Sequence, residues 1–139
     1  MKGTLKLDKK MRMVGTNEDG LETYFDTEVD SGGDNSAASP MQVMLQSVAA
    51  CQSMDIVSIL RKKRKDIIDF RIELDAEQAE NHPKYFTKLK LLYKLISETA
   101  TEKDLLRCIE LSQDTYCGAF AMLKRANTEI EWEYELINP

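Results

Sequence analysis

Two cysteines, Cys51 and Cys117, lie in local contexts that suit the two halves of one redox reaction. Cys51 lies within the nearly continuous apolar run 48–57, whereas Cys117 follows a helix break and opens a short new helix. A buried thiol and a thiol at a helix start are a candidate attacking and resolving pair. Little else in the sequence suggests chemistry, since it has one histidine, no glycine-rich phosphate loop and no clustered metal ligands.

Each of these cysteines also has a plainer interpretation. A cysteine on an apolar helix face is most often a small core residue, and a reactive thiolate at Cys51 would require a nearby cation. At Cys117 the unpaired N–H groups of a first helical turn favour the thiolate, although a packed thiol fits the sequence too. Cys108 shares an apolar stripe with Leu105 and Ile109, so we expect it to be structural. His82, in a turn sequence without a recognisable partner, is expected to be a turn residue.

Composition limits the class of protein. A chain of 139 residues with 42% apolar composition is the size of one ordinary domain. A net charge of −5 argues against a nucleic-acid binder and favours a soluble cytoplasmic protein. We expect neither a membrane span nor export, because no apolar run approaches about 18 residues and the N-terminus lacks the apolar core of a secretory signal. Three dispersed cysteines predict neither a disulfide scaffold nor a metal site, and we expect no cofactor.

Three segments alternate apolar and charged residues with period two and predict strands with one wet face: 68–77, 88–95 and 129–136. The wet faces are acidic on the first and third strands and bear lysines on the second. Antiparallel pairing with the lysine strand in the middle would place opposite charges across the ladder. Weaker patterns predict short strands at 4–7, 11–14 and 21–26, with a turn at 17–20.

Helix signals separate these two groups of strands. Ser39, Pro40 and Gln42 predict an N-cap, first position and capping box for a helix that runs to about Arg64 and is buried on several sides. The basic run 61–65 then ends this helix as a solvated cap. Thr101 opens a second helix, and a third is expected to begin near Asp114.

The predicted fold class is α+β, with antiparallel sheets packed on a long central helix and two shorter helices. We expect a single domain over 1–139. Its N-terminal strands lie within 1–30, its central helix spans 40–64, and its C-terminal sheet and helices span 67–137.

Four stretches together resemble a known family. They are 39–45 leading to Ala49-Ala50-Cys51, then 54–60, then His82-Pro83-Lys84, and finally Leu111-Ser112 to Tyr116-Cys117. In order and spacing they are similar to the superfamily of osmotically inducible protein C and organic hydroperoxide resistance proteins (OsmC/Ohr), and closest to its OsmC-like branch of undefined physiological role.

This resemblance implies an intertwined homodimer with thiol peroxidase activity. By resemblance, Cys51 attacks an organic hydroperoxide and becomes a sulfenic acid, and Cys117 condenses with it to a disulfide. A dithiol reductant of the dihydrolipoyl kind then restores both thiols. The resemblance thus predicts a cytoplasmic enzyme without a cofactor, whose partners are a second copy of the chain, the peroxide and the reductant.

The sequence departs from the peroxidase pattern in two places. Peroxidase branches have a glutamate near the start of the long helix, where this chain has Met41 and Gln42. They also use an arginine from the N-terminal region, and Arg12 is the only arginine before the helix. We therefore take Arg12 as a third candidate catalytic residue. The main alternative is a dimeric binding or redox-sensing protein with little or no turnover, and a metal-binding protein is a third possibility.

Overall fold

The computed structural model describes residues 1–139 and divides into two compact units, Met1–Gln46 and Ser47–Pro139. Strands and helices together form the α+β class that the sequence predicted. The boundary between the units falls inside the long helix. We describe each unit by itself.

The N-terminal unit contains a three-stranded antiparallel sheet in the order β1 (Gly3–Lys9), β2 (Arg12–Asn17) and β3 (Glu22–Phe25). The predicted turn joins β2 to β3, where the Asn17 side-chain oxygen accepts hydrogen bonds from the backbone N–H groups of Asp19 and Leu21. Gly20 ends the turn at φ 82°, in the left-handed region that glycine tolerates best. The three weaker strand predictions are thus confirmed.

A polar loop after β3 is organised around the buried carboxylate of Asp26. This carboxylate accepts hydrogen bonds from the Ser36 hydroxyl at 2.6 Å, from the Ser36 backbone at 3.0 Å and from the Thr27 backbone at 2.8 Å. These donors, led by the Ser36 hydroxyl, hold the pKa of Asp26 well below its usual range. Gly33 packs so tightly against the Thr27 carbonyl that a Cβ atom there would lie 2.1 Å from the oxygen.

The long helix α1 spans Pro40–Lys62 and begins at the predicted capping box. The Ser39 backbone donates to the Gln42 side chain at 2.9 Å, and the Gln42 backbone donates to the Ser39 hydroxyl at 3.4 Å. The expectation of burial on several sides is wrong for the single chain, because Met44 and Met54 are 43% and 73% exposed. The buried residues instead form one stripe of helical spacing: Val48, Ala49, Gln52, Ile56 and Leu60.

By length and composition alone, α1 is the one helix apolar enough to cross a membrane. The core helix of a soluble protein meets the same criterion. Within the C-terminal unit the buried side chain of Gln52 bonds to the second sheet, and Lys63 just beyond the helix pairs with Asp104. These contacts identify α1 as a core helix of the fold.

The C-terminal unit contains the second sheet, in the order β4 (Asp69–Gln78), β5 (Phe86–Ile96) and β6 (Glu129–Ile137). The lysine-bearing strand lies in the middle as predicted, and Lys94 contacts Glu73 on one side and Glu135 on the other. Strands β4 and β5 are antiparallel, but β5 and β6 are parallel, so the antiparallel prediction is wrong for this pair. The reason is the helical connection between them, because a crossover lets the chain re-enter the sheet in the same direction.

That connection contains α2 (Glu102–Leu111), a π-helical turn (Ser112–Tyr116) and α3 (Gly118–Arg125). The predicted capping box of α2 is confirmed, with Thr101 and Asp104 each accepting a hydrogen bond from the other's backbone. The third helix begins at Gly118 and not near Asp114, since the π turn prolongs α2 through that region. The unit buries one apolar core, which includes Ile56, Leu60, Leu89, Leu91, Tyr93, Leu95, Leu105, Cys108, Ile109, Phe120 and Leu123.

Candidate functional site

Helix α1 presents Cys51 and Asp55 on one face, because residues four apart in a helix are neighbours. Cys51 is half-buried, so the expectation of a buried Cys51 is wrong for the single chain. The physical reason is its place at the border of the buried stripe, beside the fully buried Gln52. Cys51 is therefore more exposed than Cys117, while its backbone is held in the core helix.

The π turn brings Ser112 and Cys117 towards α1. The Cys117 backbone N–H donates to the Ser112 carbonyl at 2.9 Å, which closes the wide turn between α2 and α3. The buried Ser112 hydroxyl donates to Asp55 Oδ2 at 3.0 Å and ties the turn to the long helix. Single π turns inside helices are frequent at functional sites, because they change the direction of the side chains that follow.

Cys117 is the N-cap residue of α3, as its predicted place at a helix start required. Its sulfur accepts a hydrogen bond from the Phe120 backbone N–H at 3.3 Å. The side chain is 3% exposed. Burial is the main cause that raises the pKa of the Cys117 thiol to about 12, and a hydrogen bond with Cys51 acts in the same direction. At neutral pH this thiol therefore keeps its proton.

The two sulfurs come together across 66 positions of sequence. Cys51 Sγ, Cys117 Sγ and a carboxylate oxygen of Asp55 all lie within 4.8 Å of one another, and both thiols are free. A disulfide bond is about 2.05 Å long, so the two sulfurs are close to each other but not bonded. Cys108 is fully buried elsewhere in the core, where desolvation raises the pKa of its thiol, as expected for a structural residue.

A buried polar chain lies beside the thiols. The Tyr93 hydroxyl donates to the Gln52 side-chain oxygen at 2.5 Å and accepts from Gln113 at 3.0 Å. Burial raises the pKa of Tyr93 to about 12, so its hydroxyl remains a donor at neutral pH. Gln52 Nε2 has no hydrogen-bond partner although it is buried. Gln52, the residue after Cys51, thus connects α1 to β5 through the Tyr93 hydroxyl. Its side-chain nitrogen donates no hydrogen bond.

Arg12 belongs to the N-terminal unit, where three groups hold its guanidinium. Its Nε lies 3.3 Å from Asp8 Oδ2, one terminal nitrogen donates to the Ser36 hydroxyl at 3.3 Å, and its carbon lies 4.6 Å from the centre of the Tyr24 ring. The ring and the carboxylate together set the direction of the side chain. Gln42, at the place where the resemblance implies a glutamate in peroxidases, caps α1.

Sequence reasoning assigned no role to three residues of this site: Asp55, Ser112 and Gln52. A signal did exist, because Gln52 and Asp55 are polar residues inside an otherwise apolar helix, and Asp55 follows Cys51 by one helical turn. Ser112 gave no such signal. Its position depends on the π turn, which has no marked sequence pattern.

Two comparisons concern sequence. A family model described as OsmC-like protein matches residues 33–133. Protein YhfA of Escherichia coli K12 is 29% identical over 137 residues, which cover 99% of this chain and 98% of YhfA. Both comparisons include the stretches that contain Cys51 and Cys117.

Comparison with solved structures gives the same fold. A hypothetical protein of Aquifex aeolicus matches with a TM-score of 0.80 and 27% identity, over 98% of this chain and 96% of that one. A protein of Legionella pneumophila described as an organic hydroperoxide resistance protein matches with a TM-score of 0.66 and 15% identity, over 97% of each chain. At the lower identity the likeness concerns the fold alone.

Proposed function

Because the chain belongs to the OsmC-like protein family, we propose that it is a thiol peroxidase that reduces organic hydroperoxides. The observation that supports this proposal is the approach of two free thiols to within 4.8 Å inside one unit. Organic hydroperoxide resistance is the named role of the Legionella relative of the same fold. In this proposal Cys51 and Cys117 perform the chemistry without a cofactor.

The difference in exposure between the two thiols supports the role that we propose for each. The first thiol must meet the peroxide, and Cys51 is the half-buried member of the pair. The second thiol needs to meet only the first, and Cys117 is 3% exposed. Because burial keeps Cys117 protonated, it does not compete for the peroxide and waits as a neutral thiol. Cys51 is therefore the peroxidatic residue and Cys117 the resolving one.

The proposed reaction has three steps. The Cys51 thiolate attacks the outer oxygen of the hydroperoxide, the O–O bond breaks, and the alkoxide leaves as alcohol after it takes a proton. The resulting sulfenic acid condenses with the Cys117 thiol, and its oxygen leaves as water with the Cys117 proton. A dithiol of the dihydrolipoyl type then reduces the disulfide by thiol–disulfide exchange and becomes a disulfide itself.

The thiolate at Cys51 requires a cation, and Arg12 is the candidate for this role. Asp55, which stands next to the sulfur, is an acidic residue and supplies no positive charge. Within its own unit, Asp8 and Tyr24 already orient the guanidinium of Arg12. Substitution of Arg12 should therefore slow the first step and leave the second unchanged.

We further propose a homodimer. One side of α1 leaves Met44 and Met54 uncovered, and Leu5 and Leu7 of β1 are 65% and 56% exposed. Apolar side chains of this size are normally covered in a soluble protein, and a second copy of the chain is the partner that family membership suggests.

The second candidate function is a dimeric binding or redox-sensing protein with little or no peroxidase turnover. Two observations favour it. Asp55 lies beside both sulfurs, where it supplies an acidic group in place of the cation that a reactive thiolate requires. Gln42, at the place of the family glutamate, is engaged in a helix cap.

The rate of thiol loss separates these functions. Reduced protein receives one equivalent of an alkyl hydroperoxide, and free thiols and intact mass are followed with time. The peroxidase predicts rapid loss of two thiols and a mass decrease of two hydrogens. Cys117→Ser should accumulate a sulfenic acid at Cys51, Cys51→Ser should not react, and Cys108→Ser is the matched control that should behave as the parent protein.

A parent protein that reacts no faster than a free thiol in solution would reject the peroxidase and favour the sensing function. Loss of reactivity in Cys108→Ser together with normal behaviour of Cys117→Ser would reject the assignment of the resolving residue. Arg12→Lys tests the guanidinium geometry separately from the charge, since it retains the charge and loses the planar fork.

A further inference from the structure

The third group beside the two thiols has no favourable role in peroxide reduction. A carboxylate oxygen of Asp55 lies within 4.8 Å of both Cys51 Sγ and Cys117 Sγ. An acidic residue does not supply the positive charge that a reactive thiolate needs. Two thiolates and a carboxylate are, however, a favourable environment for a divalent cation.

The spacing of these three groups fits coordination of one ion. Zinc binds cysteine sulfur at about 2.3 Å and carboxylate oxygen at about 2.0–2.2 Å, so tetrahedral ligand atoms lie roughly 3.5–3.8 Å apart. The three ligand atoms already lie within 4.8 Å of one another, which is about 1 Å more than that spacing at most. The sequence did not predict this cluster, because Cys117 is distant from the other two residues along the chain and comes close to them only in the folded structure.

Neighbouring groups hold two of the three ligands in place. The buried Ser112 hydroxyl donates to Asp55 Oδ2 at 3.0 Å, which orients the carboxylate. The Phe120 backbone N–H donates to Cys117 Sγ at 3.3 Å, a contact that stabilises negative charge on the sulfur. Such second-layer hydrogen bonds are typical of metal sites, where they fix the direction of the ligands. Cys51 and Asp55 are only half-buried, so an ion has access from solvent.

We propose that Cys51, Asp55 and Cys117 bind one thiophilic divalent cation of the zinc type, with water as the fourth ligand. Both thiols lose their protons on binding, and the net charge of the three ligands and the ion becomes −1. The bound ion occupies both sulfurs, so metal binding and peroxide reduction exclude each other. This last corollary rests on the proposed peroxidase function, whereas the metal site itself does not.

The test uses the reduced full-length protein without peroxide, so that its outcome is independent of peroxidase activity. Zinc binding is measured by titration calorimetry, and cobalt serves as a spectroscopic probe because thiolate-to-cobalt charge transfer reports sulfur ligands. We expect one ion per chain and a charge-transfer band. Cys51→Ser and Cys117→Ser should each weaken zinc binding at least about tenfold and diminish the band.

Asp55→Asn has a different signature, because it removes the charged oxygen ligand and leaves both sulfurs. Binding should weaken about tenfold while the charge-transfer band remains. Cys108→Ser and Asp114→Asn are the matched controls, since one removes a thiol and the other a carboxylate outside the cluster, and both should bind as the parent protein does. Circular dichroism checks each fold, and Cys117→Ala replaces Cys117→Ser if the latter does not fold.

Three results would overturn the site. They are the absence of saturable zinc binding, a charge-transfer band that survives loss of both Cys51 and Cys117, and loss of the band in Cys108→Ser. Zinc binding with full peroxide reactivity of the zinc-loaded protein would keep the site and reject only the corollary.

Discussion

The two units of this chain differ in how completely each covers its own apolar side chains. In the C-terminal unit, the central strand β5 is covered by its two neighbours and by the core, and Leu89 and Tyr93 have no exposed surface. In the N-terminal unit all seven residues of β1 are exposed, including Leu5 and Leu7. Both units use strands of similar sequence character. The difference shows that alternation in a sequence predicts a strand but does not reveal what will cover its apolar face.

The largest expected effect tests this contrast in the buried core. Leu105→Ala should lower the free energy of unfolding by about 2–5 kcal/mol, because it removes a fully buried side chain and leaves a cavity. Leu21→Ala in the N-terminal unit removes a side chain that is 69% exposed, and it should have little effect. Urea denaturation of both variants measures the difference. Equal losses would contradict the contrast between a covered and an uncovered unit.

The next prediction concerns the exposed apolar side chains of β1 and whether a second copy of the chain buries them. If a second copy of the chain covers Leu5, then Leu5→Ser should weaken the dimer by about 1.5–3 kcal/mol per side chain, which is about tenfold or more in dissociation constant. Sedimentation equilibrium over a range of concentrations measures the shift. Lys6→Ser changes the neighbouring residue on the opposite face of the same strand and is the control. A parent protein that is monomeric at all concentrations would reject the dimer.

Substitution of one glycine by alanine in each unit is expected to change folding stability by a smaller amount. A Cβ atom at Gly33 would lie 2.1 Å from the Thr27 carbonyl, whereas a Cβ atom at Gly118 would meet nothing within 4 Å. Gly33→Ala should therefore destabilise the Asp26 loop by about 1–3 kcal/mol, and Gly118→Ala should be neutral or slightly stabilising. Thermal unfolding followed by circular dichroism distinguishes them. If Gly33→Ala unfolds at the same temperature as the parent protein, the loop accommodates the added methyl group without a loss of stability.

The smallest expected effect is a loss of folding stability at acid pH, to which one carboxylate in each unit contributes. Hydroxyl donors, Ser36 for Asp26 and Thr99 for Asp66, hold the pKa of each carboxyl below its usual range. The stability that they contribute is present above the usual carboxyl pKa of about 3.9 and is lost as the pH falls through the lowered value. The unfolding temperature should thus fall on acidification, and it should fall less in Asp66→Asn, which is less stable at neutral pH. An identical fall in parent and variant would exclude Asp66 as a contributor.

The sequence predicted those parts of the fold that depend on neighbours along the chain. Alternation gave the strands, and Ser39 and Thr101 marked two helix starts through cap contacts that the structure contains. The parallel pairing of β5 and β6 was not predicted, although the helices between them were, because charge complementarity across the ladder is the same in both directions.

The candidate site was predictable only in part. The resemblance singled out Cys51 and Cys117, and their approach depends on the fold. The half-buried state of Cys51 was not predictable, because an apolar run does not show which of its members face the core. Asp55 was visible as a charge in an apolar helix, but its nearness to Cys117 requires the π turn. The burial of a side chain and its partners on distant elements are thus the properties that a local pattern leaves open.

The edge-to-face contact between Trp132 and Tyr93 supplies the protein with an optical probe of its own. Trp132 is the only tryptophan of the chain, and its ring centre lies 6.1 Å from that of Tyr93. The Tyr93 hydroxyl is bonded to Gln52, the residue next to Cys51 in the core helix. A change at the sulfurs that moves this turn of helix α1 is transmitted to the indole over a short chain of contacts. We therefore expect emission from this one fluorophore to follow changes at the thiols, with no label attached.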